Sequence, residues 1–339
     1  MTVSSHGLGT GERSRWGTQW KRRGRFGLGR PNNALRAGAN RQSVTPVSDE
    51  AAISSIRTAE TTVREVNGVS LHVVAAGNPA DPLVVLLHGF PECWYGWSEY
   101  VDPFVDAGYR VLVPDQRGYN RSDKPSGVRS YRLRTLSRDV VSLIGSEGRA
   151  SAHVVGHDWG AAVAWDVALR HPGVVDRLGV LNVPHPSVFR RTLFRTPTQL
   201  RKSWYMCYFQ LPRLPEWMLK RSAFEPLIDR TREEANPGTF DEERLRRYRA
   251  AWSRPGALTA MLNWYRALRH YEAPPLESVR APTRIVWGEH DQALVPEMAS
   301  ASLEYCEEGD LRRYDDATHW LTHEHPGRVR EALLEHLEA

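Results

Sequence analysis

Three residues stand where they could together form and release a covalent intermediate: Asp158, Asp291 and His319. Asp158 is the apex of Val154-Val155-Gly156-His157-Asp158-Trp159-Gly160-Ala161-Ala162, where an apolar run gives way at once to a small-residue helical pattern. A strand, a sharp turn and a helix with small flanking residues make a nucleophile elbow, which forces the apical side chain outward. Gly156 and Gly160 fit it because side chains there would clash in so tight a turn. Most such elbows carry Ser, and a carboxylate changes the chemistry. Attack by Asp on an ester or amide would give a high-energy anhydride, whereas attack on an sp³ carbon bearing a leaving group gives a stable alkyl ester. Asp291 follows an apolar run within Gly288-Glu289-His290-Asp291, and His319 follows another within Asp315-Asp316-Ala317-Thr318-His319-Trp320. The order nucleophile, acid, base is thereby complete. His319, oriented by Asp291, would activate water against the ester. Backbone N–H groups of Trp159 and Phe90 would receive the oxyanion that develops on Asp158. Epoxides and alkyl halides both fit this far.

These residues need elements to hold them. Val63 to Val66 and Val69 to Ala75 read as strands joined by the hairpin signal Asn67-Gly68. Leu83 to Leu87, Arg110 to Val113, Ala152 to Val155, Leu178 to Asn182, Thr283 to Gly288 and Leu311 to Tyr314 read as further strands. Ser98 to Ala107, Leu133 to Ile144 and Gly327 to Leu337 have helical spacing. Strands alternating with helices predict an α/β fold with a mostly parallel sheet flanked by helices. Ligands bind such sheets beyond the carboxyl ends of the strands, where His88 and Asp158 fall. His88 is expected to hold its loop by hydrogen bonds. From Ser187 to about Glu272 the chain shows helical spacing and no strand pattern, which predicts an inserted helical lid. The expected division is a core over 61–186 and 273–339 and a lid over 187–272.

Apolar content of 41% and charged content of 25% suit an ordinary globular protein. The net charge of +5 is unevenly placed: residues 1–60 hold ten Lys/Arg against four Asp/Glu, and the remaining 279 hold 35 against 36. Residues 1–60 have no apolar period and are expected to be a disordered basic segment, with Trp16 and Trp20 in a solvated tail. Basicity confined there gives no reason to expect a nucleic-acid partner. Cys93, Cys207 and Cys306 match no disulfide framework or metal spacing. No apolar run approaches membrane-span length, and Lys21-Arg22-Arg23 lacks a following apolar stretch, so a cytoplasmic location is expected. No metal or cofactor is expected, only a small-molecule substrate and water.

The choice between epoxide and halide turns on the insertion. An opening epoxide becomes an alkoxide and needs a proton donor, while a leaving halide needs none. A phenol, protonated at neutral pH, is suitable, and the insertion carries Ser203-Trp204-Tyr205-Met206-Cys207-Tyr208-Phe209-Gln210 and Leu262-Asn263-Trp264-Tyr265-Arg266. From about residue 62 onward the chain resembles the epoxide hydrolases of the alpha/beta-hydrolase superfamily. The resemblance rests on His88-Gly89-Phe90-Pro91-Glu92, Asp115-Gln116-Arg117-Gly118-Tyr119, the elbow, Asn182-Val183-Pro184-His185-Pro186 and the two lid segments. It implies that Tyr205 and Tyr265 hold the epoxide oxygen and that the peptide before Pro91 is cis. On that match Tyr205, rather than Tyr208, is the first lid donor. Thr318 departs from the pattern, standing where many members have Gly. Trp204 and Trp264 are expected to pack the lid, and His323 and His325 to be surface residues. A haloalkane or haloacid dehalogenase is the nearest alternative, since it shares the Asp nucleophile. A non-catalytic binding protein would have no need of the complete triad.

Overall fold

The computed structural model of the chain describes residues 52–339. Its elements begin β1 (Glu60–Val66), β2 (Val69–Ala76), β3 (Leu83–Leu87), α1 (Ser98–Asp106), β4 (Arg110–Pro114) and α2 (Leu133–Ser146). They continue through β5 (Ala152–His157), α3 (Trp159–Arg170) and β6 (Val175–Leu181). The inserted helices follow: α4 (Pro186–Arg195), α5 (Pro197–Lys202), α6 (Trp204–Phe209), α7 (Leu214–Arg221), α8 (Glu225–Glu234), α9 (Glu242–Ser253) and α10 (Ala257–Ala267). The chain then returns to β7 (Thr283–Gly288), α11 (Glu297–Leu303), β8 (Gly309–Tyr314), α12 (Leu321–Glu324) and α13 (Pro326–Glu338).

The strands form one sheet in the order β1-β2-β4-β3-β5-β6-β7-β8. β2 is antiparallel to both β1 and β4, and every other pairing is parallel. The Asn67-Gly68 hairpin forms as expected, both residues having positive φ as its tight turn requires. The central strands are buried along their whole length because helices cover both faces. Edge strands β1 and β8 carry exposed polar positions, which discourages further pairing. Because β3 lies between β4 and β5, the winding direction reverses there, and a crevice opens beyond the carboxyl ends of β3 and β5.

Residues 1–51, including Trp16 and Trp20, lie outside the described residues. The end of the segment expected to be disordered is a correction: Ala52 and Ile56 are buried in the core and Glu60 already opens β1. Two isolated apolar anchors make no period, so the pattern alone missed them. β5 also runs two residues further than expected, to His157, because Gly156 and His157 still pair with β6.

Candidate active site

The turn after β5 is built by close contact. Asp158 has φ 48° and ψ −123°, a conformation costly for a residue with a side chain. A Cβ on Gly156 would lie 2.4 Å from the backbone of Gly160, and one on Gly160 would lie 2.1 Å from the Leu87 carbonyl oxygen. Only glycine lets α3 start this near to β3. An Asp at a helix start usually caps it, but the Asp158 side chain makes no capping bond. It points instead to the loop after β3, where the Phe90 N–H donates to Asp158 Oδ1 at 2.6 Å. Gly89 brings that loop in: a Cβ there would stand 2.3 Å from Asp158 Cβ. The Phe90–Pro91 peptide is cis. Trp159 is the first residue of α3, at the end where helical N–H groups lack partners within the helix.

Asp291 and His319 arrive from the loops after β7 and β8. His319 Nδ1 lies 2.7 Å from Asp291 Oδ2, and its Nε2 lies 3.5 Å from Asp158 Oδ2. Asp291 is fully held: Oδ1 accepts from Ala293 N–H and Leu294 N–H at 2.6 and 2.8 Å. Asn182 Nδ2 donates to its Oδ2 at 2.8 Å. Burial alone would raise the Asp291 carboxyl, but His319 and the two backbone donors outweigh it and hold it below its ordinary value. For His319 burial disfavours the charged ring; Asp291 and then Asp158 overcome it, and the imidazole sits well above its ordinary value. Together these shifts describe an Asp291 that stays ionised and orients a basic imidazole.

The helical insertion roofs these groups. A cavity of about 480 Å³ is lined by Asp158, His319, Phe90, Tyr205 and Tyr265 among others. The Tyr205 and Tyr265 rings meet edge to face at 5.8 Å between centroids. Burial, followed by the Asp158 charge, raises Tyr205 above its ordinary value. Burial raises Tyr265 as well, followed by Tyr205 and Asp158, while a hydrogen bond with the Trp159 side chain pulls the other way. Both are therefore protonated donors at neutral pH. Tyr208 also lines the cavity, but its hydroxyl is directed to Met218 Sδ at 3.3 Å. Arg230 stacks over Tyr205 at 4.9 Å.

The expectations for five neighbouring residues fare differently. Trp264 is buried and donates to the Arg117 carbonyl at 3.0 Å, as a packing residue should. Trp204 instead is 58% exposed and lines the cavity, so it is no packing residue. His323 is not on the surface: it is buried, with Nε2 2.6 Å from Glu92 Oε1 and Phe240 against its ring. His325 is half-buried, 3.6 Å from Asp316. His88 is wholly buried; its Nε2 accepts from Gln116 N–H at 3.1 Å, and burial lowers its basicity, so it holds the loop.

Sequence reasoning missed Glu92 as more than part of a motif. Its Oε2 lies 3.1 Å from His157 Nδ1, and its Oε1 accepts from the Tyr248 hydroxyl at 3.0 Å in addition to His323. His157 Nε2 in turn donates to the His319 carbonyl at 2.8 Å. Burial opposes ionisation of Glu92, but His323 and His157 outweigh it and hold the carboxyl well below its ordinary range. Thr318 also gains a role, bonding Glu324 through its N–H and hydroxyl and so bracing the turn before His319.

A family model described as the alpha/beta hydrolase fold matches residues 82–326. An AB hydrolase superfamily protein, YfhM of Bacillus subtilis (strain 168), is 47% identical over 275 residues, covering 80% of this chain and 96% of its own. Epoxide hydrolase 3 of Xenopus tropicalis is 37% identical over 278 residues, covering 80% and 76%. The crystal structure of the Bacillus megaterium epoxide hydrolase in complex with an inhibitor superposes with a TM-score of 0.74 at 32% identity, covering 82% of this chain and all of that one. With an elbow that carries Asp in place of Ser and two phenols above it, the chain belongs to the epoxide hydrolase family of the alpha/beta-hydrolase superfamily.

Proposed function

We propose that this chain hydrolyses epoxides to vicinal diols through an alkyl ester on Asp158. The observation that carries this reading is the pair of protonated phenols, Tyr205 and Tyr265, facing the same cavity as a carboxylate. They donate hydrogen bonds to the epoxide oxygen and one of them gives it a proton as the C–O bond breaks. Asp158 Oδ2, free of the Phe90 N–H, attacks carbon from the opposite side. The product is an ester whose carbonyl oxygen, Oδ1, already rests against the Phe90 N–H at the distance an oxyanion donor needs. The Trp159 N–H is the second donor.

Esterification also prepares the second step. Asp158 is one of the two carboxylates that hold His319 basic. Once its charge is consumed, the imidazole loses that support and its proton passes through water to the phenolate left by the first step. That transfer restores the phenol and frees the imidazole to take a proton from the attacking water. Water attacks the Asp158 carbonyl carbon, the ester C–O bond breaks, and the diol leaves with an oxygen that began on Asp158. Asp291 keeps the ring oriented and balances the imidazolium.

A halide pocket would use an indole or amide N–H as its donor. Here Trp159 packs edge to face on Tyr265 at 5.1 Å between centroids, beside two phenols that a leaving halide would not need, which favours the epoxide reading over a dehalogenase. The test is a single turnover in ¹⁸O-labelled water with enzyme in excess. Label is expected in Asp158 and absent from the first-turnover diol. Label appearing directly in that diol would refute the ester, and halide release from matched substrates without diol formation would refute the substrate class.

A further inference from the structure

Among the described residues, every exposed large hydrophobic side chain except Val63 lies between Phe194 and Met218. Single exposed apolar residues are ordinary on a protein surface, but a cluster of them is not. Trp204 and Tyr208 lie 6.3 Å apart between ring centroids, and Tyr208 reaches Met218 at 3.3 Å. Next to Met218 stands Trp217, 59% exposed, with the Arg221 guanidinium 5.5 Å over its ring. Trp204, Tyr208 and Met218 also line the active-site cavity, so this apolar surface is its rim.

The same segment is strongly basic. Residues 187–222 carry eight Lys/Arg and one acid, Glu216, whereas the rest of residues 61–339 carry 27 and 35. Glu216 is turned inward, paired with Arg266 at 2.7 Å. Arg201, Arg213, Lys220 and Arg221 are exposed and form no ion pair among the described residues. Trp, Leu and Met interleaved with Arg and Lys suit the boundary between headgroups and acyl chains, and each basic residue near an anionic leaflet adds attraction.

We propose that the outer face of α6 and α7 docks on an anionic lipid bilayer, which sets the cavity mouth against the membrane. Charge selects this occupant over two others. Residues 1–51 are themselves basic and would be repelled from the rim. A second copy docked through the same face would oppose one basic rim to another. A negatively charged leaflet complements both the cations and the apolar side chains, and lipophilic epoxides, which partition into bilayers, would be drawn from it. The docking itself does not depend on the reaction proposed above.

The test is cosedimentation of the full-length chain with phosphatidylglycerol vesicles and, separately, phosphatidylcholine vesicles. Binding is expected to the former alone and to weaken with added salt. The triple variant Arg213→Glu/Trp217→Glu/Arg221→Glu should bind at least roughly tenfold more weakly, with an unchanged circular dichroism melt. The double variant Arg213→Glu/Arg221→Glu provides the same test with Trp217 retained. Failure of the wild-type chain to bind, or wild-type binding by folded variants, would overturn the proposal, the latter moving the attraction to residues 1–51. Concentration-dependent dimerisation abolished by the variants, with no vesicle binding, would replace the bilayer with a second copy.

Discussion

At the scale of the residue, the molecule places one carboxylate, Asp158, under two opposing demands. In the proposed reaction it must be a free nucleophile, while its charge supports a histidine that is not yet needed as a base. The 3.5 Å separation from His319 Nε2 serves both, being too long for a firm hydrogen bond and near enough for charge to act. Asp158→Asn, a neutral stand-in for the ester, should therefore titrate His319 at lower pH than the wild type does, read by NMR of labelled histidine. An unchanged His319 titration would show that Asp291 alone sets its basicity. The sign follows from the causes of the shift: Asp158 raises the His319 value, so removing its charge lowers it.

At the scale of the element, two loops and a helix start are pressed together until only glycine fits. Gly89→Ala would put a methyl group 2.3 Å from Asp158 Cβ and 2.7 Å from its Oδ1. The Phe90 N–H must then move, and kcat is expected to fall about 10²–10³-fold, the usual cost of losing an oxyanion donor. A variant with wild-type kcat and an unchanged fold would remove Phe90 from the mechanism. The elbow, the strands at 83–87 and 283–288 and the helical lid were legible because each is a contiguous pattern. Glu92 was not, since its partners His157, Tyr248 and His323 lie 65, 156 and 231 residues away. Nothing local announces such a cluster. His323 misled because it stands in the polar run Thr322-His323-Glu324-His325, and its burial comes from Phe240 and Tyr248 packing on it from the lid. Ala52 and Ile56 escaped notice for a related reason, as their burial depends wholly on distant surface.

At the scale of the whole molecule, Glu92 joins parts that the chain order keeps apart: the loop after β3, the end of β5, helix α9 of the lid and helix α12. Glu92→Ala would leave His157 and His323 without their acceptor, and a loss of about 3–5 kcal/mol is expected from urea unfolding, the usual cost of stripping one partner from a buried charged cluster. Its pH dependence has a definite sign. A carboxyl held well below its ordinary range stabilises the fold at neutral pH, and that contribution fades as pH falls from the ordinary carboxylate range toward the folded value. The acid limb of the stability curve should thus be shallower in the variant. An identical acid limb would mean that Glu92 gains nothing from its partners.

The ties between lid and core are unevenly shared. Helices α9 and α10 are fastened to the core by Tyr248 to Glu92, by Trp252 to the Pro91 carbonyl and by Trp264 to the Arg117 carbonyl. Helix α6 is fastened at its start through α5, where Lys202 donates to the Asp291 carbonyl and Gln199 to the Ala293 carbonyl, and at its end through Gln210 to the Tyr265 carbonyl. Helix α7 instead hangs from α10 through Arg266 to Glu216. Tyr205 and Tyr265 are thus two set jaws, and α7, which brings Met218 and Leu219 to the cavity wall, is among the described residues a plate without a bolt to the core. In the proposed reaction, bulky and slender epoxides would therefore meet the same spacing of phenols, and the room for a larger one would come from α7 giving way.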